Sequence, residues 1–377
     1  MKNKQILLAS RPQGAVSTAN FKLVESDIPK AGDGEFVVRN HYLSLDPYMR
    51  GRMDDSKSYA ASAAVGAVMV GTAVGEVIES KHAKFKTGDF VETRSGWQQY
   101  GVSNGGGTRR VDPSFIPLSA YLGAAGMPGV TAWVGLNEHG KPKAGETVVV
   151  SAASGAVGST VGQLAKLKGC RAVGIAGGKA KCDYVVTELG FDACVDYKAG
   201  DLDAGLKAAC PSGVDVYFDN VGGPVLNAVL THMNAFSRLV LCGQISGYDD
   251  PDALAVKNFR AFLVNRINLR GFIVSDHIDL WKTALAELGQ LVHDSKIRYR
   301  ESIAEGEEFR QAAGETHLKA RCAGGQPRCP PSGDNRINPA SAQTSTPRRR
   351  AARHCYNAMP SCRPCLTKPS RIARPCA

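Results

Sequence analysis

The run Ala152-Ala153-Ser154-Gly155-Ala156-Val157-Gly158 suits a turn that holds a pyrophosphate. Small residues let the backbone come close to the phosphates, and the positive end of a following helix favours their charge. An enzyme that uses NADH places Asp or Glu about 20 residues beyond the glycines, against the ribose 2′-hydroxyl. Here the corresponding stretch is Ala176-Gly177-Gly178-Lys179-Ala180-Lys181, with no acid. That gap leaves room for a 2′-phosphate, and Lys181 or Lys179 can pair with it. The pattern favours NADPH. A solvated helix start would also account for the lysines, so the missing acid carries more of the argument. Two further stretches, Asp219-Asn220-Val221-Gly222-Gly223 and Cys242-Gly243-Gln244-Ile245-Ser246, each follow an apolar run. Ligands of open parallel sheets bind at such strand ends.

A catalytic zinc needs Cys, His or carboxylate ligands around an open position. Residues 1–169 contain no cysteine, and His41, His82 and His139 lie in no Gly-His-Glu stretch. No closely spaced group of four cysteines precedes the tail. No metal is therefore expected, and hydroxyl groups must polarise any carbonyl. The pair Cys362-x-x-Cys365 stands alone and is assigned no role.

The elements that position these residues change along the chain. Residues 1–125 are rich in Val, Gly and turn residues and read as irregular β structure, with strands at Glu35–Arg39, within Val65–Ile78 and at Phe90–Glu92. Strand and helix then alternate. Strands are expected at Thr147–Val150, Ala172–Ile175, Ala193–Val195, Val214–Phe218, Arg238–Cys242 and Leu269–Val274. Helices are expected at Gly158–Lys168, with Val161, Leu164, Ala165 and Leu167 apolar, and at Lys179–Leu189 and Pro224–Met233. This is an α/β chain with a doubly wound parallel sheet. The amphipathic stretch Asp279–Val292 returns it towards the first region.

The chain has 377 residues and a formal charge of +11. Residues 316–377 hold 12 Lys and Arg against one acid, Asp334, which leaves residues 1–315 with 34 of each sign. The body is neutral, so no nucleic-acid or membrane partner is expected from it. The tail also holds nine of the 19 prolines and six of the 11 cysteines, with no Phe or Trp, and reads as disordered. Cys170, Cys182, Cys194, Cys210 and Cys242 read as buried free thiols of a reducing compartment. The apolar part of the N-terminus is too short for a signal peptide, and no apolar run reaches the ~20 residues of a membrane helix. A cytoplasmic location is expected.

Leu43-Ser44-Leu45-Asp46-Pro47-Tyr48-Met49-Arg50-Gly51-Arg52-Met53 and Gly126-Met127-Pro128-Gly129-Val130-Thr131-Ala132 resemble two signatures of the zinc-independent medium-chain dehydrogenases/reductases. The likeness is to the leukotriene B4 12-hydroxydehydrogenase / prostaglandin reductase branch, and within it to bacterial members like curcumin reductase. The three cofactor-type segments match in order, and the resemblance covers roughly residues 3–304. It implies a GroES-like β domain (1–125, completed by 276–315), a Rossmann domain (126–275), a homodimer, NADPH, and enal or enone substrates. It places Gly155, Ala156, Val157 and Gly158 on the pyrophosphate, Lys181 on the 2′-phosphate and Tyr197 on the adenosine side. Asn220, Cys242, Gly243, Ile245 and Ser246 would approach the ribose and nicotinamide, with Phe272, Ile273 and Val274 beside the ring. Tyr48, Met127 and Thr131 are expected in the substrate pocket, and Arg50 with them; Tyr48 and Arg50 would alternatively join the two domains.

The sequence departs from this pattern twice. A tyrosine that animal and plant members carry is Val264 here, which leaves Tyr59 and Tyr248 as the candidate catalytic phenols. After Gly314-Glu315 the final Gly-x-Asn-x-Gly-Lys segment and apolar strand give way to the basic tail, which reads as translation in a shifted frame. The implied reaction reduces the carbon–carbon double bond of α,β-unsaturated aldehydes and ketones. A quinone oxidoreductase of the same superfamily is one rival reading, although Asp46–Arg50 argues against it. A catalytically impaired NADPH-binding protein is another.

Overall fold

The structure is a computed structural model and describes residues 2–305 and 319–321. Strands β1 (Lys2–Leu8) and β2 (Phe21–Asp27) form an antiparallel hairpin. Beside it, β3 (Phe36–Ser44), β4 (Ala73–Ser80), β5 (Phe90–Thr93), β6 (Tyr100–Ser103) and β7 (Arg109–Arg110) make a largely antiparallel sheet. Two apolar clusters pack on it, one holding Phe36, Val38, Val77 and Val91 and the other Leu8, Leu43, Met49 and Trp97. Strand β3 is longer than the expected 35–39, because Tyr42 and Leu43 continue the ladder against Val74 and Ala73. The 65–78 stretch is strand only from Ala73; Val68 makes a single bridge to Leu7. Helix α1 (Tyr48–Arg52) leaves the end of β3.

Helix α2 (Met127–Val134) leads into the second sheet. Its strands are β8 (Thr147–Ser151), β9 (Arg171–Ala176), β10 (Ala193–Asp196), β11 (Val214–Asp219), β12 (Met233–Leu241) and β13 (Asn268–Gly271). Helices α3 (Ala156–Leu167), α4 (Lys179–Thr187), α5 (Leu202–Ala209), α6 (Gly223–Leu230) and α7 (Arg260–Val264) connect them. The order is β10-β9-β8-β11-β12-β13 with every pair parallel, the doubly wound α/β fold expected from the sequence. Helices on both faces explain why Val148, Val149 and Val150 are all fully buried. The strand order reverses between β8 and β11, which opens a crevice at their carboxyl ends.

Several bounds shift. Helix α6 stops at Leu230, and β12 starts at Met233 opposite Val214, five residues before the expected Arg238. Strand β13 stops at Gly271, so Phe272–Val274 leave the sheet. Leu167, expected on the buried face of α3, is exposed at the helix end. Helix α8 (Trp281–His293) then carries the chain back, and β14 (Ile303–Glu305) joins the first sheet. Strand β15 (Lys319–Arg321) pairs with both β14 and β3. A strand thus lies at the edge of β3 within the segment read as disordered, because backbone pairing asks little of side-chain pattern. The rest of the 316–377 tail, including Cys362 and Cys365, lies outside the described residues.

Candidate active site

A cleft of about 1360 Å³ runs from the β8–α3 turn past the ends of β11 and β12 to α1 and the loop after it. The end at the β8–α3 turn is built mostly by backbone. Ala152 takes a positive φ of 51°, and Gly155 caps α3. A Cβ on Gly158 would stand 2.4 Å from the Ala152 carbonyl oxygen, so only glycine lets the turn close this tightly. Gly155, Ala156, Val157 and Gly158 all line the cleft.

The end of β8 is tied to the end of β11 by Ser151 and Asp219. Asp219 Oδ1 accepts hydrogen bonds from Ser151 Oγ (2.9 Å), Tyr217 OH (2.7 Å) and the amides of Val221 (2.9 Å) and Gly222 (3.0 Å). Burial nevertheless raises the Asp219 carboxyl above its ordinary range, against the pull of those donors. The backbone of Asp219 accepts from the Cys242 and Gly243 amides, which fixes the β12 turn as well. Asn220 donates its side-chain amide to the Ser151 carbonyl (2.9 Å) and faces the cleft beside Cys242, Gly243, Ile245 and Ser246. Burial pushes the Cys242 thiol up to about 12, so it stays protonated. The sequence reading missed the part played by Ser151 and Asp219. The available signal was a polar residue closing each of two apolar strands.

Lys181 lines the cleft and has no ion pair among the described residues. Lys179 does not line it and is bound to Asp183 at 2.6 Å. Tyr197 lines the same end. Its ring seats on Gly177, where a Cβ would come within 2.8 Å of it. The residues present therefore fit a phosphorylated dinucleotide: a close turn, no acid among residues 176–181 at the end of β9, and an ammonium with no ion pair among the described residues.

The other end of the cleft is built from side chains. Phe272, Ile273, Val274, Met127 and Thr131 form apolar wall, with Thr131 Oγ1 donating to the Met127 carbonyl at 2.8 Å. Tyr48 and Tyr59 approach from the first sheet and Tyr248 from the second. Burial raises Tyr48 and Tyr248 to about 12, Tyr48 with a further push from Asp46 and Tyr248 from Tyr59 and Cys242. Tyr59 is also raised by desolvation, less strongly, as suits a residue 59% exposed at the mouth. All three phenols stay protonated at neutral pH and can donate. Arg52, Arg94, Trp281 and Tyr299 also line the cleft, and no spacing in the sequence singled them out. Arg50 does not line it.

Two family models match: the N-terminal domain of oxidoreductase over residues 4–111 and the zinc-binding dehydrogenase over residues 156–290. The chain is 46% identical over 312 residues to the NADPH-dependent curcumin reductase of Escherichia coli K12, covering 81% of this chain and 90% of that protein. It belongs to the medium-chain dehydrogenase/reductase family, in its curcumin reductase-like branch. A second member, the NADP-dependent 2-alkenal reductase of Nicotiana tabacum, is 40% identical over 311 residues, covering 81% of this chain and 90% of that protein. The crystal structure of Vibrio vulnificus CurA in complex with NADPH superposes with a TM-score of 0.80 at 43% identity, over 86% of this chain and all of that one. Among the described residues of this medium-chain reductase, no three His, Cys, Asp or Glu side chains gather as a metal-ligand set. No described helix is long and apolar enough to cross a membrane.

Proposed function

We propose that this cleft reduces the carbon–carbon double bond of α,β-unsaturated aldehydes and ketones at the expense of NADPH. The observation that carries the mechanism is that Tyr59 and Tyr248 line one cleft with Cys242, near enough for each phenol to feel its neighbours' charge. When bound, NADPH supplies a hydride for the β-carbon of the substrate. Gly155–Gly158 would hold the pyrophosphate, Lys181 the 2′-phosphate and Tyr197 the adenosine side. Asn220 and the 242–246 turn would carry the ribose and nicotinamide between them, with Phe272–Val274 against the ring. As the β-carbon is reduced, negative charge grows on the carbonyl oxygen. A neutral phenol aimed at that oxygen stabilises it, the role of an oxyanion donor. Tyr248 is the better donor, being the more deeply placed, and Tyr59 closes the mouth. The α-carbon then takes a proton from a tyrosine or from water. Tyr48, Met127 and Thr131 shape the pocket around the substrate.

The reading is zinc-independent. Among the described residues the cleft wall carries no histidine and a single cysteine, Cys242, fewer than the Cys and His ligands that a catalytic zinc site gathers. It also includes a homodimer. All four residues of β13 are exposed at the open edge of the second sheet, and Leu269 within it and Phe259 and Leu263 nearby in the chain expose apolar surface. A cytoplasmic site of action fits the five free thiols of the described residues.

The test is consumption of NADPH with a medium-chain 2-alkenal, run beside NADH, beside a quinone, and with a zinc chelator. Turnover that prefers NADPH and the alkenal and ignores the chelator supports the reading. Heat stabilisation by NADPH without turnover would instead favour an impaired, cofactor-binding protein. Light scattering of Leu269→Lys beside the parent chain tests the dimer, which the charge at the edge should split.

A further inference from the structure

Arg50 lies outside the cleft and is only 8% exposed. Its guanidinium has three partners. Two belong to the first region: Asp54 Oδ1 at 2.6 Å, one helical turn on, and the Gly14 carbonyl at 2.9 Å. The third crosses to the second region, where Nε donates to Asp249 Oδ1 at 3.3 Å. Asp249 directly follows Tyr248. Among the described residues the Tyr248 hydroxyl has no hydrogen bond, so its place depends on the backbone that carries it. On the Rossmann side that segment is held by Ser246 Oγ to the Val221 carbonyl (2.6 Å) and by the Ile245 amide to the Asn220 carbonyl (3.3 Å). Towards the first sheet, its hydrogen bonding among the described residues reduces to Asp249 and Arg50.

We infer that Arg50 is a positioning residue: through Asp249 it draws the 244–250 segment to the first sheet and so sets Tyr248 over the substrate carbonyl. This rests on the reading of Tyr248 as the oxyanion donor. Arg50 can do this because Asp54 and Gly14 have already fixed its guanidinium, so little side-chain freedom is lost on pairing with Asp249. The exposed face of Asp249 makes the pair weak in stability. Its effect belongs to geometry, where a misplacement of about 1 Å can cost up to about 100-fold in rate.

The experiment measures kcat, KM for the alkenal at saturating NADPH, and Kd for NADPH in Asp249→Asn, Arg50→Gln, Arg50→Lys and Tyr248→Phe. Asp249→Asn is the decisive single variant, because a half-exposed surface change leaves the fold intact where loss of buried Arg50 need not. It should lower kcat about 10-fold with Kd for NADPH unchanged, and Arg50→Lys should recover part of what Arg50→Gln loses. Added to Tyr248→Phe, Asp249→Asn should cost nothing more, since it acts through that tyrosine. Unchanged kcat in Asp249→Asn beside an impaired Tyr248→Phe overturns the inference alone. So do additive losses, or an equal loss in NADPH affinity. Unchanged kcat in Tyr248→Phe overturns the reading of the tyrosine, and the inference with it.

Discussion

The two ends of the cleft are made of different material. At the cofactor end the surface is backbone: a turn with Ala152 at positive φ, a glycine packed on a carbonyl, and strand ends tied by Ser151 and Asp219. At the substrate end it is side chain: Tyr48 and Tyr59 from one sheet, Tyr248 and Phe272 from the other. A surface made of backbone depends on residues close together in sequence. One made of side chains from two sheets depends on how those sheets meet. The cofactor end should therefore fail locally and completely, and the substrate end by degrees.

The sharpest contrast comes from Tyr248→Phe, which should lower kcat about 100-fold while leaving NADPH affinity alone. Stopped-flow measurement of both would break the comparison if the two fell together. Lys181→Ala should raise Kd for NADPH about 10-fold, the worth of one charge-assisted hydrogen bond, and leave Kd for NADH nearly unmoved. Lys179→Ala should leave both unmoved, because that ammonium is committed to Asp183; fluorescence titration decides. Ser151→Ala removes a donor from buried Asp219 and should cost about 2 kcal/mol in urea unfolding. Its effect on kcat should be smaller than that of Tyr248→Phe. The least change is expected with pH. A phenol donates only while protonated, and burial raises Tyr248 to about 12. The kcat profile should stay level from about pH 6 to about pH 9, where an unperturbed tyrosine would begin to ionise. A fall beginning near pH 9 would mean that Tyr248 is not held as described.

The same division marks what can be read from the sequence. The doubly wound sheet was legible because strands buried on both faces are uninterrupted apolar runs, as in Val148–Val150. The fingerprint and the missing acid were legible because they are local. The difference between Lys181 and Lys179 was not, since the two sit on one helix and it lies in the cleft lining and in the Lys179–Asp183 pair. The bounds of β12 and β13 were misjudged where a strand begins in a partly exposed stretch, Asn234–Phe236, or ends at a glycine just before an apolar run. That second error matters, because ending β13 at Gly271 frees Phe272–Val274 to line the cleft. The partnership of Arg50 with Asp249 spans 199 residues and has no local trace.

The seating of Tyr197 on Gly177 bears on how such a protein could evolve. Gaining NADH specificity in one step would mean an aspartate or glutamate near the end of β9. At position 177 the first atom of that side chain would displace the aromatic ring before its carboxylate met any ribose. The substitution would forfeit the contact proposed for Tyr197 on the adenosine side as it gained one to the 2′-hydroxyl. A lineage starting here would need to shrink Tyr197 first, with no immediate benefit. Cofactor choice is thus guarded by a steric detour as well as by charge, and directed evolution towards NADH should recover changes at positions 177 and 197 together.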